Sequence, residues 1–119
     1  MNEDVEKWLK EIKKGATRYS ILTILCDSDM YGYELRHEFE VRTKGVMTLT
    51  EGNTYPTLHK MESESLVTSY WKDSEEGLPS RKYYHITDKG KTLLNEMMSE
   101  WNKYVEAINN LWSGNHGSQ

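Results

Sequence analysis

The chain has 119 residues, 36% of them hydrophobic and 29% charged, with 19 acids against 15 bases and a net charge of −4. That length builds one domain with its own core, and no run approaches the ~18 apolar residues of a spanning helix, so no membrane partner is expected. The acidic balance argues against indiscriminate nucleic-acid binding while leaving room for a local basic patch.

The N-terminal MNEDVEKW is acidic and amphipathic. No basic segment leads into an apolar stretch, so no secretory signal is expected and the reading is cytoplasmic. Residues 3–26 read as a helix: Val5, Trp8, Leu9 and Ile12 fall at i, i+3, i+4 and i+7, one amphipathic stripe. Gly15 marks a break or a close contact. From Ala16 to Leu25 the helix is apolar on more than one side, as a buried helix would be. The single cysteine, Cys26, ends the run ILTILC and reads as a small buried hydrophobe.

CDSD (26–29) is a polar loop, with Ser28 or Asp29 as cap for a second helix over 30–43. Lys44-Gly45 stops that helix. A short connection, 46–50, leads to a third helix over 51–64. Thr50 is one candidate cap. Pro56 removes a backbone donor and would bend the first turns, so a later start capped by Asn53 is the other. Thr54, Leu58, Met61 and Ser65 line its inward side. Asn53, Thr57, Lys60 and Glu64 line the outward side.

LVTSYW (66–71) and KYYHIT (82–87) read as strands, the second with Tyr84 and Ile86 alternating against Tyr83, His85 and Thr87. The loop KDSEEGLPS between them completes a long hairpin. Thr87 caps a final helix over 88–112, about 37 Å long. The tail, 113–119, reads as frayed.

Helix–helix–helix–hairpin–helix is the order of a winged helix-turn-helix. The fold class is therefore α+β, mostly α. A single domain holds the winged helix-turn-helix over 3–87 and a long C-terminal dimerisation helix over 88–112. In that arrangement Asn53, Thr57 and Lys60 reach base edges or phosphate, and Tyr55 offers its hydroxyl to phosphate. Ser80, Arg81 and Lys82 supply short donors and cations at the wing. Tyr31 and Tyr33 open the second helix, where hydroxyls meet phosphate or pack in the core. The last helix carries a wide apolar stripe: Leu94, Met98, Trp101, Val105, Ile108, Leu111 and Trp112. With Val5, Trp8, Leu9 and Ile12 it lacks a partner in one protomer, and a second copy of the chain is the simplest cover.

No catalytic set is visible. His37, His59, His85 and His116 lack metal-ligand spacing, Cys26 is far in sequence from any base, and no glycine-rich phosphate loop exists. Neither an enzyme nor a metal or cofactor is expected.

MYGYEL (30–35), EGNTYPTLHKME (51–62), LVTSYW (66–71) and SRKYYHITDKG (80–90) together resemble the PadR-type transcriptional regulators in order and spacing, over nearly the whole chain. The resemblance implies a homodimeric winged-helix repressor of the small branch, acting on double-stranded DNA with a palindromic operator. It also implies an aromatic pore at the dimer interface for planar hydrophobic small molecules. Trp101 would stack on them, with Trp8, Met97, Tyr104 and Val105 around it. Three departures stand out. Ser65 occupies a position where members often carry glycine. His59 and Met61 replace more usual basic and leucine residues. Val105, not an acid, lies one turn past Trp101. The alternative reading is a winged-helix protein-interaction or small-molecule-sequestering module with no operator.

Overall fold

The computed structural model describes residues 2–116. Helix α1 (Glu3–Asp27) starts at Asn2, whose side-chain oxygen accepts from the Asp4 N–H at 2.7 Å, with Glu3, Asp4 and Glu6 at its positive end. Gly15 neither breaks the helix nor makes a close contact; a Cβ there would meet nothing within 4 Å. The buried arc is Ile21, Leu22, Ile24 and Leu25. Cys26 falls outside that arc and is exposed, which corrects its reading as a core residue.

The segment after α1 holds an element the sequence did not reveal. Met30–Tyr31 forms a short strand, β1, before α2 (Gly32–Arg42). Neither Ser28 nor Asp29 caps α2. Tyr31 holds the cap position, and the Glu34 carboxylate reaches back to its N–H at 3.3 Å. Leu35 and Phe39 are buried, and Lys44 and Gly45 turn the chain with φ of 53° and 78°.

Helix α3 (Glu51–Ser63) settles the two alternatives for its start. Thr50 is the cap: its hydroxyl accepts from the Asn53 N–H at 3.3 Å while the Asn53 side chain accepts from the Thr50 N–H at 3.0 Å. Pro56 lies inside the helix and leaves the Gly52 carbonyl without its donor. The end of α3 is a Schellman motif, with Leu66 N–H on the Met61 carbonyl and Ser65 N–H on the Glu62 carbonyl. Ser65 therefore takes φ of 62° and faces solvent rather than inward as expected.

Strands β2 (Val67–Lys72) and β3 (Arg81–Ile86) pair antiparallel from Val67 opposite Ile86 to Lys72 opposite Arg81. On the other edge of β3, Met30 and Tyr31 face Tyr84 and Tyr83, giving the sheet order β1-β3-β2. Helix α4 (Asp88–His116) is capped by Thr87, whose hydroxyl accepts from Gly90 N–H at 3.0 Å. It runs through 113–116, four residues past the expected end; 117–119 lie outside the described residues.

The core gathers α1, α2, α3 and the sheet around Ile21, Leu25, Leu35, Phe39, Leu58 and Ile86. From α4, Leu94 enters this core at 3% exposure. Its assignment to the dimer stripe is thus corrected: the first turns of α4 pack on the winged domain, and the stripe begins further along. Beyond that point α4 carries Met98, Trp101, Ile108, Leu111 and Trp112 exposed, and α1 carries Val5, Trp8 and Ile12 likewise, while Leu9 and Val105 are half-buried.

Candidate nucleic-acid interface

Helix α3 offers the solvent a narrow polar face. Thr54, Leu58 and Met61 are buried, and Thr54 donates to the Thr50 carbonyl at 2.5 Å. Lys60 is exposed. Asn53 is exposed, but its oxygen is committed to the helix cap, which leaves its amide N–H groups as donors. Thr57 is half-buried and donates to the Asn53 carbonyl at 2.7 Å. Glu64, read as an outward residue, turns away to pair with Arg18 of α1 at 2.9 Å.

Tyr55 leans from α3 onto the start of α2. A Cβ on Gly32 would lie 2.8 Å from its hydroxyl, so the glycine makes the approach possible. The Arg36 guanidinium sits 6.0 Å from the Tyr55 ring and 3.6 Å from Glu51, an anchor the sequence reading missed. Tyr33 is 62% exposed and stacks on His37 at 6.4 Å. Tyr31 is half-buried, with its ring edge-on to Tyr83 at 5.5 Å.

The β2–β3 hairpin forms the wing. Arg81 lies over the Tyr31 ring at 4.6 Å, so the first tyrosine of α2 steers a wing cation. Lys82 sits 5.6 Å from the Tyr84 ring and 3.9 Å from Glu62 of α3. Burial first, and then the Glu62 charge, push the Tyr84 phenol pKa up. Ser80 donates to Asp73 at 2.8 Å, so its one O–H is engaged within the loop.

Between α3 and the wing runs a groove of about 730 Å³, reaching Tyr31, Tyr55, Ser80, Arg81 and Lys82 of the expected contacts. It is also lined by Gly32, Pro56, His59, Trp71 and Tyr84. Asn53, Thr57 and Lys60 lie on α3 outside it, and Tyr33 lies on α2. His59 and Trp71 escaped the sequence reading. Trp71 lies two residues past Ser69, on the side of β2 that the Ser69–Glu62 bond turns toward α3.

A second groove, about 720 Å³, lies between α1 and α4. Met97, Trp101 and Tyr104 line it as expected, opposite Gly15, Ala16 and Tyr19, and the Tyr19 and Trp101 rings stack at 6.4 Å. Trp8 and Val105 do not line this groove of the single protomer. Trp8 sits two turns before Gly15 on α1. The groove also has an acid that the sequence reading missed: Glu100, immediately before Trp101, 3.4 Å from Lys103.

Among the described residues no cluster of three His, Cys, Asp or Glu side chains could hold a metal, and no helix is long and apolar enough to cross a membrane.

Residues 21–96 match the model of the transcriptional regulator PadR-like family. The chain is 38% identical over 94 residues to the Escherichia coli transcriptional regulator YqjI, covering 79% of this chain but 43% of that one. The crystal structure of a PadR family transcriptional regulator from Eggerthella lenta superposes with a TM-score of 0.82 at 26% identity, over 95% of this chain and 96% of that one. The crystal structure of Bacillus subtilis PadR in complex with operator DNA superposes with a TM-score of 0.64 at 25% identity, over 70% of this chain and 45% of that one.

Proposed function

The chain belongs to the transcriptional regulator PadR-like family, and from that premise we propose that it is a homodimeric repressor whose two α3 helices read a palindromic operator. The family consists of transcriptional regulators rather than enzymes, and the winged-helix fold is that of its solved members. The observation that carries the reading is the convergence of Arg81 and Lys82 with Tyr55 at one groove between wing and recognition helix. Two cations there offset a net charge of −4 locally, as phosphate contact requires. The operator complex of the Bacillus subtilis protein supports the same use of the fold.

The exposed apolar stripe of α4 and α1, with Trp8, Ile108 and Leu111, supports dimerisation. The two half-sites then lie about one helical turn apart. The groove at Trp101 takes a planar hydrophobic molecule, with Tyr19 and Trp101 as its aromatic faces. Such an effector releases DNA only by favouring the dimer geometry that mismatches the half-site spacing.

The test is a fluorescence-anisotropy titration with the DNA upstream of the protein's own gene and with fragments enriched from the genome, at two salt concentrations. Wild type binds selectively and loses affinity steeply with salt, while Arg81→Ala/Lys82→Ala binds more weakly and lowers the salt slope by about two. Dye binding at the tryptophans with no salt-sensitive DNA binding would instead identify a sequestering module.

A further inference from the structure

We propose that the groove between α3 and the wing takes one sugar–phosphate strand of the DNA, and that Trp71 grips the deoxyribose face of that strand. The contact rests on the operator reading above but adds to it a residue and a force. Side chains alternate along a strand, so Ser69 and Trp71 share one face of β2. Ser69 bonds Glu62 of α3, which identifies that face as the one toward the recognition helix. Trp71 pairs in register with Lys82, whose amine lies 3.9 Å from the same Glu62. Trp71 thus stands beyond Ser69 on the α3 side of the wing, opposite Pro56 and His59.

The chemistry of the walls selects the occupant. Lys82 and Arg81 supply positive charge and His59 a ring nitrogen, while the carboxylates beside these walls, Glu62 and Asp73, are held by Ser69 and Ser80. Tyr31, Tyr55, Trp71 and Tyr84 bring aromatic surface to the same walls. A chain that alternates anion with apolar ring fits this better than an anion or an apolar molecule alone, and a sugar–phosphate backbone is such a chain. With α3 in the major groove, the wing reaches the adjacent backbone, which must cross the gap between them. Trp71 is 69% exposed in the protomer, so its indole is open to a partner and does not hold the fold together.

The force is distinguishable from phosphate contact. Neutralising a phosphate releases counterions and steepens the salt dependence, whereas covering a deoxyribose face leaves that slope untouched. The test uses a duplex enriched from a random-sequence pool by the wild-type protein, titrated by anisotropy across a salt series. Trp71→Ala binds about tenfold more weakly at every salt concentration with an unchanged slope. Trp71→Phe recovers part of the loss. Lys82→Ala, by contrast, lowers the slope by about one. In fluorotryptophan-labelled protein, the fluorine resonance assigned to Trp71 shifts on adding the duplex, a readout that needs no substitution to fold. Wild-type affinity in Trp71→Ala together with an unmoved resonance would overturn the contact while leaving the operator reading intact. Failure of the wild-type protein to enrich any duplex would overturn both.

Discussion

The Asp29 carboxylate and the His85 imidazole Nδ1 lie 2.7 Å apart, and the same carboxylate accepts a 2.7 Å hydrogen bond from the Tyr70 hydroxyl. One residue from the connection after α1 thereby holds both strands of the wing, on the sheet face away from α3. This cluster braces β3, the strand that carries Arg81 and Lys82, from behind.

The cluster makes wing stability depend on pH. Burial works against the ionised Asp29, but hydrogen bonds from Tyr70 and His85 and the His85 charge outweigh it and hold its pKa below the ordinary 3.8. A depressed carboxylate pKa stabilises the fold above the unfolded value, and that contribution is lost as pH falls through the folded one. The Tyr70 phenol, bonded to Asp29, is pushed up to about 12. Its contribution is present below the ordinary value of 10.0 and lost as pH rises through the raised one. Asp29→Asn should therefore lower the urea midpoint at neutrality, and the gap from wild type should shrink both in acid and in strong alkali. A gap constant across pH would refute the assignment.

Two glycines separate stability from binding. A Cβ on Gly90 would lie 2.3 Å from the Leu66 carbonyl oxygen and 2.8 Å from Ile86 Cγ1, where backbone cannot give way. Gly90→Ala should cost about 3 kcal/mol in urea unfolding, the upper range for overpacking. On Gly32 the Cβ meets the end of the Tyr55 ring, which can swing aside. Gly32→Ala should leave unfolding within about 1 kcal/mol of wild type and weaken DNA binding by displacing the Tyr55 hydroxyl from the groove.

Ser65 is held at φ 62° by the Schellman motif that ends α3. That conformation costs a side-chain-bearing residue about 1 kcal/mol, which glycine avoids. Ser65→Gly should raise unfolding stability by about that amount, and a loss of stability would show that the serine makes a compensating contact.

Leu94 and Ile108 share a helix but not a role. Leu94→Ala removes a buried core side chain and should cost about 3 kcal/mol. Ile108→Asp and Leu111→Asp alter exposed positions on the stripe. They should leave each protomer's helical signal largely intact while converting a micromolar dimer to monomer in sedimentation velocity. A dimer that survives both charges would place the interface elsewhere.

Trp101 faces a groove and also stacks on Tyr19. Trp101→Ala should abolish calorimetric binding of a planar aromatic dye while the protein still sediments as a dimer. Trp8→Ala should retain dye binding, since Trp8 lies outside the groove walls. Unchanged dye affinity in Trp101→Ala would remove it as a platform.

Much of this architecture was legible along the chain because its signals are local. The stripe of Val5, Trp8 and Ile12, the Thr50 cap and the alternation of Tyr84 and Ile86 each depend on neighbours within a turn or two of sequence. Wing and recognition helix followed from those elements in order. What escaped depends on partners far along the chain. A two-residue strand has no periodicity of its own, and β1 exists because Met30 and Tyr31 meet Tyr84 and Tyr83. Asp29 read as a helix cap, yet its partners stand 41 and 56 residues away. Leu94 fitted the dimer stripe by spacing, and only packing on the winged domain put it in the core.

The sequence by itself therefore determined the four helices, the wing hairpin, their order and the family, since periodicity, caps and motif spacing are written into adjacent residues. Tertiary structure decided which side chains share a groove. Trp71 and His59 face one another because β2 and α3 fold together, and no local pattern of either segment carries that information.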